Sequence, residues 1–212
     1  TTTIASLIDG IIGPQPLHVV TLEDPIEYRF SDRRALITQR QIGEHAVDFA
    51  GGLRQALRQD PDVLVIGEMR DPETIAAALT AAETGHLVIS TLHSRTAQST
   101  VSRIVDSFGD ARQELVRTQL ANALVGVVSQ QLITRNGGLR CLAAELLVAT
   151  PAVRNLIREG ALHQIGAAID TGAAHGMQSM DRALAQLVRQ GRLTRDEAFE
   201  RCVDPNGLRE LL

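Results

Sequence analysis

The sequence contains no lysine: all 21 basic residues in its 212 are arginine. That removes lysine chemistry from this chain, both the Schiff-base amine and the phosphate-gripping ammonium of a nucleotide-binding loop. There is no tryptophan and only one tyrosine, so no aromatic platform exists on which bases would stack. Cysteine is scarce too. Cys141 and Cys202 stand far apart, which excludes a disulfide scaffold and a cysteine-based zinc site and points to a reducing cytoplasm. No apolar run approaches the roughly 18–20 residues that span a bilayer. The start, Thr1-Thr2-Thr3-Ile4-Ala5, has neither an initiator methionine nor a charged signal region, and reads as a segment of a longer protein.

What is present describes a soluble, globular chain. It is 44% hydrophobic and 22% charged, with a formal charge of −4 that argues against a dedicated nucleic-acid binder. The length suits one medium domain, or a core with a small satellite. Helical spacing over 4–12 stops at Gly13-Pro14, and a strand is expected over 17–22. A helix over 50–58 meets the breaker Asp60-Pro61, after which Val63-Leu64-Val65-Ile66 runs apolar without interruption. Runs that short fit strands covered on both faces, as in a parallel sheet. Asp71-Pro72 supplies a cap and a first-turn proline for a helix to Glu83, and another strand follows over 87–92. Helices over 96–108 and 112–125 precede a strand pair, 127–134 and 139–148, expected at the sheet edge around the turn Asn136-Gly137-Gly138. From Thr150-Pro151 the pattern is helical only, over 152–159, 162–171, 179–189 and 194–201. The expected fold is therefore α/β, with a mostly parallel sheet in a core over 1–149 and a small C-terminal helical subdomain over 150–212.

Three polar clusters stand at the ends of expected strands, the edge where ligands bind in doubly wound sheets. The first, Thr21-Leu22-Glu23-Asp24-Pro25-Ile26-Glu27-Tyr28, crowds three carboxylates into five residues. Such a group gains from a hard cation such as magnesium, although taken alone it fits a solvated acidic turn better. In the second, Val63 to Ile66 deliver Gly67-Glu68 at the strand tip. A carboxylate held there can orient or deprotonate a water attacking a phosphate, while Glu68 and Arg70 together also fit a charged surface loop. In the third, Gly85-His86 and His93-Ser94 bracket a strand. Imidazole can donate to phosphate oxygen, and His86, at the strand start, fits a packed structural histidine better than His93 does. His18, His45, His163 and His175 belong to no constellation.

The order of these clusters on three strands resembles the secretion ATPase superfamily of type II and type IV systems, RecA-like hexameric motors. Glu23 to Glu27 is similar to its Asp box, Val63 to Glu68 to its atypical Walker B, and Gly85 to His93 to its His box. Within the family, Pro151-Ala152-Val153-Arg154-Asn155-Leu156-Ile157-Arg158-Glu159 and His175-Gly176-Met177-Gln178-Ser179-Met180-Asp181 resemble the twitching-motility retraction branch, the PilT type. Relatives for pilus assembly and type II secretion usually carry a four-cysteine zinc module, for which this chain lacks the cysteines, so no zinc is expected.

The resemblance implies a RecA-like core that binds ATP and Mg2+. It implies Glu68 as the catalytic glutamate, Glu23 and Glu27 supporting magnesium or water, and His93 beside the γ-phosphate, with Thr1, Thr2 and His86 as further nucleotide contacts. Thr1 would fall on the hydroxyl position that ligates magnesium, together with Glu23. The loop Gly-x-x-x-x-Gly-Lys-Ser/Thr is absent from these residues; its lysine would immediately precede Thr1, and the segment alone is expected to lack ATPase activity. Arg54, Arg58 and Arg70 are candidates for subunit contacts or charge compensation. The implied protein is a homohexameric motor for type IV pilus retraction, cytoplasmic and peripheral to the inner membrane, acting on the membrane-embedded pilus platform protein. A sister motor for pilus assembly or secretion, and a non-hydrolysing ring subunit, are the alternatives at this stage.

Overall fold

The computed structural model describes residues 1–12, 16–32, 34–134, 138 and 140–212. These form two compact units, Thr1–Leu92 and His93–Leu212. The expected helix stop at Gly13-Pro14 and the turn residues Asn136-Gly137 lie outside the described residues.

The first unit is built on four parallel strands, β1 (His18–Glu23), β2 (Leu36–Gln41), β3 (Val63–Ile66) and β4 (Leu87–Ser90), in the order β2-β1-β3-β4. Val19 to Leu22 pair with Val63 to Ile66, which pair in turn with Leu87 to Ser90. Every residue of β3 is buried, as its unbroken apolar sequence requires of a strand covered twice. Alternation assigns the covers. On one face Val19, Val63 and Val65 meet Ile8 and Ile12 of α1 (Thr2–Ile12). On the other, Val20, Leu22, Leu64 and Ile66 meet Leu53 and Ala56 of α2 (Phe49–Ala56) and Ala78 and Ala81 of α3 (Pro72–Glu83).

Local signals end these helices where the sequence suggests. The Asp48 carboxylate accepts the Gly51 amide at the start of α2. After a 3-10 turn over Leu57–Gln59, Asp60 adopts φ 54° immediately before Pro61 and breaks the helical course. Asp71 caps α3 through the Thr74 amide, with Pro72 in the first turn. Burial pushes the Asp71 carboxyl up, but hydrogen bonds from the Thr74 amide and hydroxyl outweigh it and hold the group below its usual range.

Strand β2 is not anticipated by the sequence reading, because Leu-Ile-Thr-Gln-Arg-Gln alternates weakly and ends in polar residues. It is a parallel edge strand, reached from β1 through residues 24–35, and shifts the sheet's crossover to β1 and β3.

The second unit contains α4 (Ala97–Asp106), α5 (Asp110–Ala123), β5 (Gly126–Thr134), β6 (Arg140–Val148), α6 (Pro151–Glu159), α7 (Ile165–Thr171), α8 (Met180–Arg189), α9 (Arg195–Phe199) and α10 (Pro205–Leu211). β5 and β6 pair antiparallel as a separate two-stranded sheet, rather than extending the edge of the four-stranded one. The inner face of this pair, with Ile133, Cys141 and Ala143, is sealed by Met180, Leu184 and Leu187 of α8, Ala198 of α9 and Leu208 of α10. Residues 93–149 thus share a compact unit with the helical segment from Thr150. Helix α10 also escapes the sequence reading, although Asp204-Pro205 carries the same cap-and-proline signal as Asp71-Pro72.

Candidate functional site

The strand order β2-β1-β3-β4 has its switch point between β1 and β3, since the chain leaves β1 for one neighbour and β3 for the other. In such sheets the crevice at the carboxyl ends of those two strands receives ligands. Glu23 ends β1, and Gly67-Glu68 follow β3 directly opposite.

Backbone hydrogen bonds brace this edge. The Gly67 amide donates to Leu22 O at 2.7 Å, and the Met69 amide to Thr91 O at 3.1 Å. Thr91 Oγ1 donates to Gly67 O at 2.5 Å. Glu68 therefore sits on a backbone tied to both neighbouring strand ends. Glycine is needed beside it: a Cβ at Gly67 would stand 3.2 Å from Leu22 O and 3.5 Å from Glu23 Cα. The Glu68 carboxylate is mostly shielded and pairs with Arg70, whose Nε lies 2.6 Å from Oε2.

Glu23 is held differently. Buried Thr21 donates its hydroxyl to Glu23 Oε1 at 2.7 Å, and Gln39 Nε2 donates to the same oxygen at 3.0 Å. Gln39 also donates to Tyr28 O at 2.8 Å and accepts the Phe30 amide at 2.9 Å, while Gln41 Oε1 accepts the Ile26 amide at 3.2 Å. The acidic segment is thereby folded over the end of β2. Glu27 reaches the start of α1, where Thr1 Oγ1 donates to its Oε1 at 2.9 Å and the Thr2 hydroxyl shares a 3.1 Å hydrogen bond with that of Tyr28.

Thr1, Thr2, Glu23, Glu27 and Glu68 thus belong to one edge of one sheet. His86 does not: it precedes β4 at the opposite edge, where Nδ1 contacts Ala81 O at 2.9 Å and the Thr84 hydroxyl at 3.1 Å. Those contacts finish the end of α3. His93 opens the second unit, and its carbonyl accepts Arg103 Nη1 at 2.9 Å. Gln39 and Gln41 are residues the sequence reading missed, and Thr21, at the head of the acidic cluster, carries no role in it. The period-two spacing of 39 and 41 was the available signal, masked by the polarity of the strand.

Among the described residues no group of three or more His, Cys, Asp or Glu could hold a metal ion by itself. What the edge offers is hard oxygen: carboxylates, threonine hydroxyls and a rigid backbone. Such a set can take a small cation that arrives already coordinated by phosphate, and can position a water. No helix among the described residues is long and apolar enough to cross a membrane.

Comparison with known proteins decides the family. The model for the type II/IV secretion system protein family matches residues 1–141. This chain belongs to the type II/IV secretion system protein family. Among curated relatives, a twitching motility protein of Neisseria gonorrhoeae is 51% identical over 201 residues, which are 94% of this chain and 54% of that protein. The type IV pilus retraction ATPase PilT of Pseudomonas aeruginosa is 45% identical over 204 residues, 96% of this chain and 59% of its own length. This member of the secretion family therefore spans little more than half the length of those relatives. Among solved structures, the pilus retraction motor PilT with bound ADP aligns at a TM-score of 0.90 and 48% identity, over 99% of this chain and 59% of that one. The ATPase DotB of Legionella pneumophila aligns at 0.84 and 31% identity, over 93% and 55%. These likenesses establish the RecA-like α/β architecture of the family member described here.

Proposed function

We propose that the protein carrying this chain is an ATP-hydrolysing motor that drives retraction of type IV pili. The observation that carries the reading is the placement of Glu23 and Glu68 on adjacent parallel strand ends. It is supported by identity of 45–51% to proteins named for twitching motility and pilus retraction, over at least 94% of the chain.

In this reading Glu68 is the catalytic base. Its carboxylate orients a water in line with the γ-phosphate and takes the water's proton as the bond to the ADP oxygen breaks, yielding ADP and phosphate. The braced backbone on either side of Glu68 makes this a preorganised group. Glu23 and Glu27, with the Thr1 hydroxyl, are the residues that would hold Mg2+, either directly or through water. Bound Mg2+ neutralises charge on the β- and γ-phosphates. Thr21 and Gln39 keep Glu23 in place for that role. His93 is assigned a hydrogen bond to phosphate oxygen, and Thr2 is assigned to the nucleotide side of α1. His86 is read as structural on its contacts at the end of α3.

The motor would be a homohexamer on the cytoplasmic side of the inner membrane, with the pilus platform protein as its partner. Arg54 and Arg58, both exposed, and Arg70 are available for subunit contacts or charge compensation. The test pairs biochemistry with genetics. Glu68→Gln in the full-length protein should retain ATP binding and lose turnover by roughly 10²–10⁴. Deletion of the gene should leave cells hyperpiliated and unable to twitch. Cells without pili would instead assign the motor to assembly, and near-wild-type turnover in Glu68→Gln would remove that residue from the mechanism.

A further inference from the structure

Glu145 is one of few charged side chains buried in the second unit, 6% exposed on β6, and the hydrolytic mechanism does not use it. Its Oε1 accepts the amide of Ala97 at 2.6 Å, and the amide of Met180 favours its charged form. Ala97 is the first residue of α4 and Met180 the first of α8. One carboxylate of β6 therefore holds the leading amide of α4, beside the start of α8.

Neither helix could satisfy that amide with its own cap. Thr96 caps α4 by accepting the Ser99 amide, two positions further on, and Ser179 makes no side-chain cap to α8 at all. Two positive helix ends converging on one carboxylate favour its charge. Burial opposes it, and Gln178, two residues before α8, is stitched to β6 independently. Leu146 N donates to Gln178 O at 2.8 Å, Gln178 N to Leu146 O at 3.1 Å, and Gln178 Nε2 to Ala144 O at 2.8 Å.

The second end of this arrangement is the His93 segment. Arg103, on α4, donates to the His93 carbonyl at 2.9 Å. A path thus leads from Gln178, just before α8, onto β6 and its Glu145, then through α4 to Arg103 and the backbone of His93. On the far side, Asp181 of α8 accepts the Val203 and Asp204 amides at 2.7 and 2.8 Å, which ties α10 to the same helix.

We propose that Glu145 is a positioning residue: it locks the start of α4 to the start of α8 and, through Arg103, sets where the His93 backbone stands. This rests on the role assigned to His93 in the proposed function. It makes turnover depend on the helical end of the chain through one buried carboxylate, without that carboxylate touching nucleotide.

The test is a double-mutant cycle on the full-length protein, with kcat and ATP affinity measured separately. Glu145→Ala should lower kcat about tenfold, leave ATP affinity unchanged, and cause no further loss in a His93→Ala background. Glu145→Gln, which keeps one acceptor oxygen, should recover part of the loss. Arg103→Ala removes the exposed link without disturbing the core, so it serves even where Glu145→Ala does not fold; its kcat should fall and should be equally silent with His93→Ala. Losses that multiply in the double variants, or an Arg103→Ala protein at full speed, would overturn the proposal. A His93→Ala protein at undiminished turnover would instead overturn the role of His93. Amide hydrogen exchange gives an activity-free readout: Ala97 and Met180 should both exchange faster in Glu145→Gln, and unchanged exchange at either would refute the shared cap.

Discussion

Arg70 and Glu68 are joined by a 2.6 Å ion pair, yet Arg70 is 71% exposed and Glu68 only 14%. The pair is unequal in consequence. With one member in solvent, its net worth is that of a surface salt bridge, about 0–1 kcal/mol. Arg70→Ala should therefore shift the unfolding free energy by no more than about 1 kcal/mol in urea titrations. Glu68→Gln, with similarly small effect on stability, should abolish most turnover. A large loss of stability in Arg70→Ala would show that the pair is structural rather than a restraint on the carboxylate.

Gly67 is fixed by contact, not by backbone angle. Its missing Cβ leaves room for Leu22 O and the Glu23 backbone. Gly67→Ala should strain the β1–β3 edge by roughly 1–3 kcal/mol, the usual cost of overpacking. The same change should misplace Glu68, so kcat should fall while the helical second unit keeps its native circular dichroism.

Arg154 reaches three carbonyls with one guanidinium: Nε donates to Ala149 O at 2.9 Å, and Nη1 to Ala121 O and Asn122 O at 2.5 and 2.6 Å. It thereby closes the end of α5 with the first turn of α6. Arg154→Lys keeps the charge but not the fork, and should lose about 2 kcal/mol of stability, close to the loss in Arg154→Ala. A lysine variant as stable as the parent would show that charge alone holds the two helices.

The lower and upper parts of the pH range should probe different carboxylates. Asp71 is held below its ordinary value of 3.8, so the folded state binds fewer protons there. Its stabilising contribution is present above that value and is lost as pH falls through the lowered one. Burial pushes Glu145 above its ordinary value of 4.5; the Ala97 and Met180 amides oppose this, and the Asp181 and Asp170 carboxylates add to it. Stability from Glu145 is thus greatest below 4.5 and declines as pH rises through the raised value. Thermal melts across this range should show Glu145→Gln flattening the upper slope and Asp71→Asn the lower one.

Much of the strand edge that forms the candidate site was legible because each signal was local. Val63 to Ile66 announce a covered strand, Gly67-Glu68 its tip, and Asp71-Pro72 the helix that follows. The support for Glu23 was not legible in the same way, because Gln39 comes from a strand whose polar sequence hides its period. Glu145 reads in sequence as one charge in an apolar run; only tertiary packing brings the first amide of α4 to it. His86 and His93 already differ by their place before and after β4 in the sequence, and in the structure His86 contacts Ala81 O and the Thr84 hydroxyl at the end of α3. The helical segment was recognised from Thr150, while its membership in a unit beginning at His93 depends on tertiary packing of α4 and β5 with the later helices.

The pairing of β3 with strands on both sides turns sequence position into a ruler. Inserting or deleting one residue between Val63 and Glu68 would exchange the two faces of the strand and carry the carboxylate away from Glu23. Among natural variants, the six positions from Val63 to Glu68 should therefore change in chemistry before they change in number.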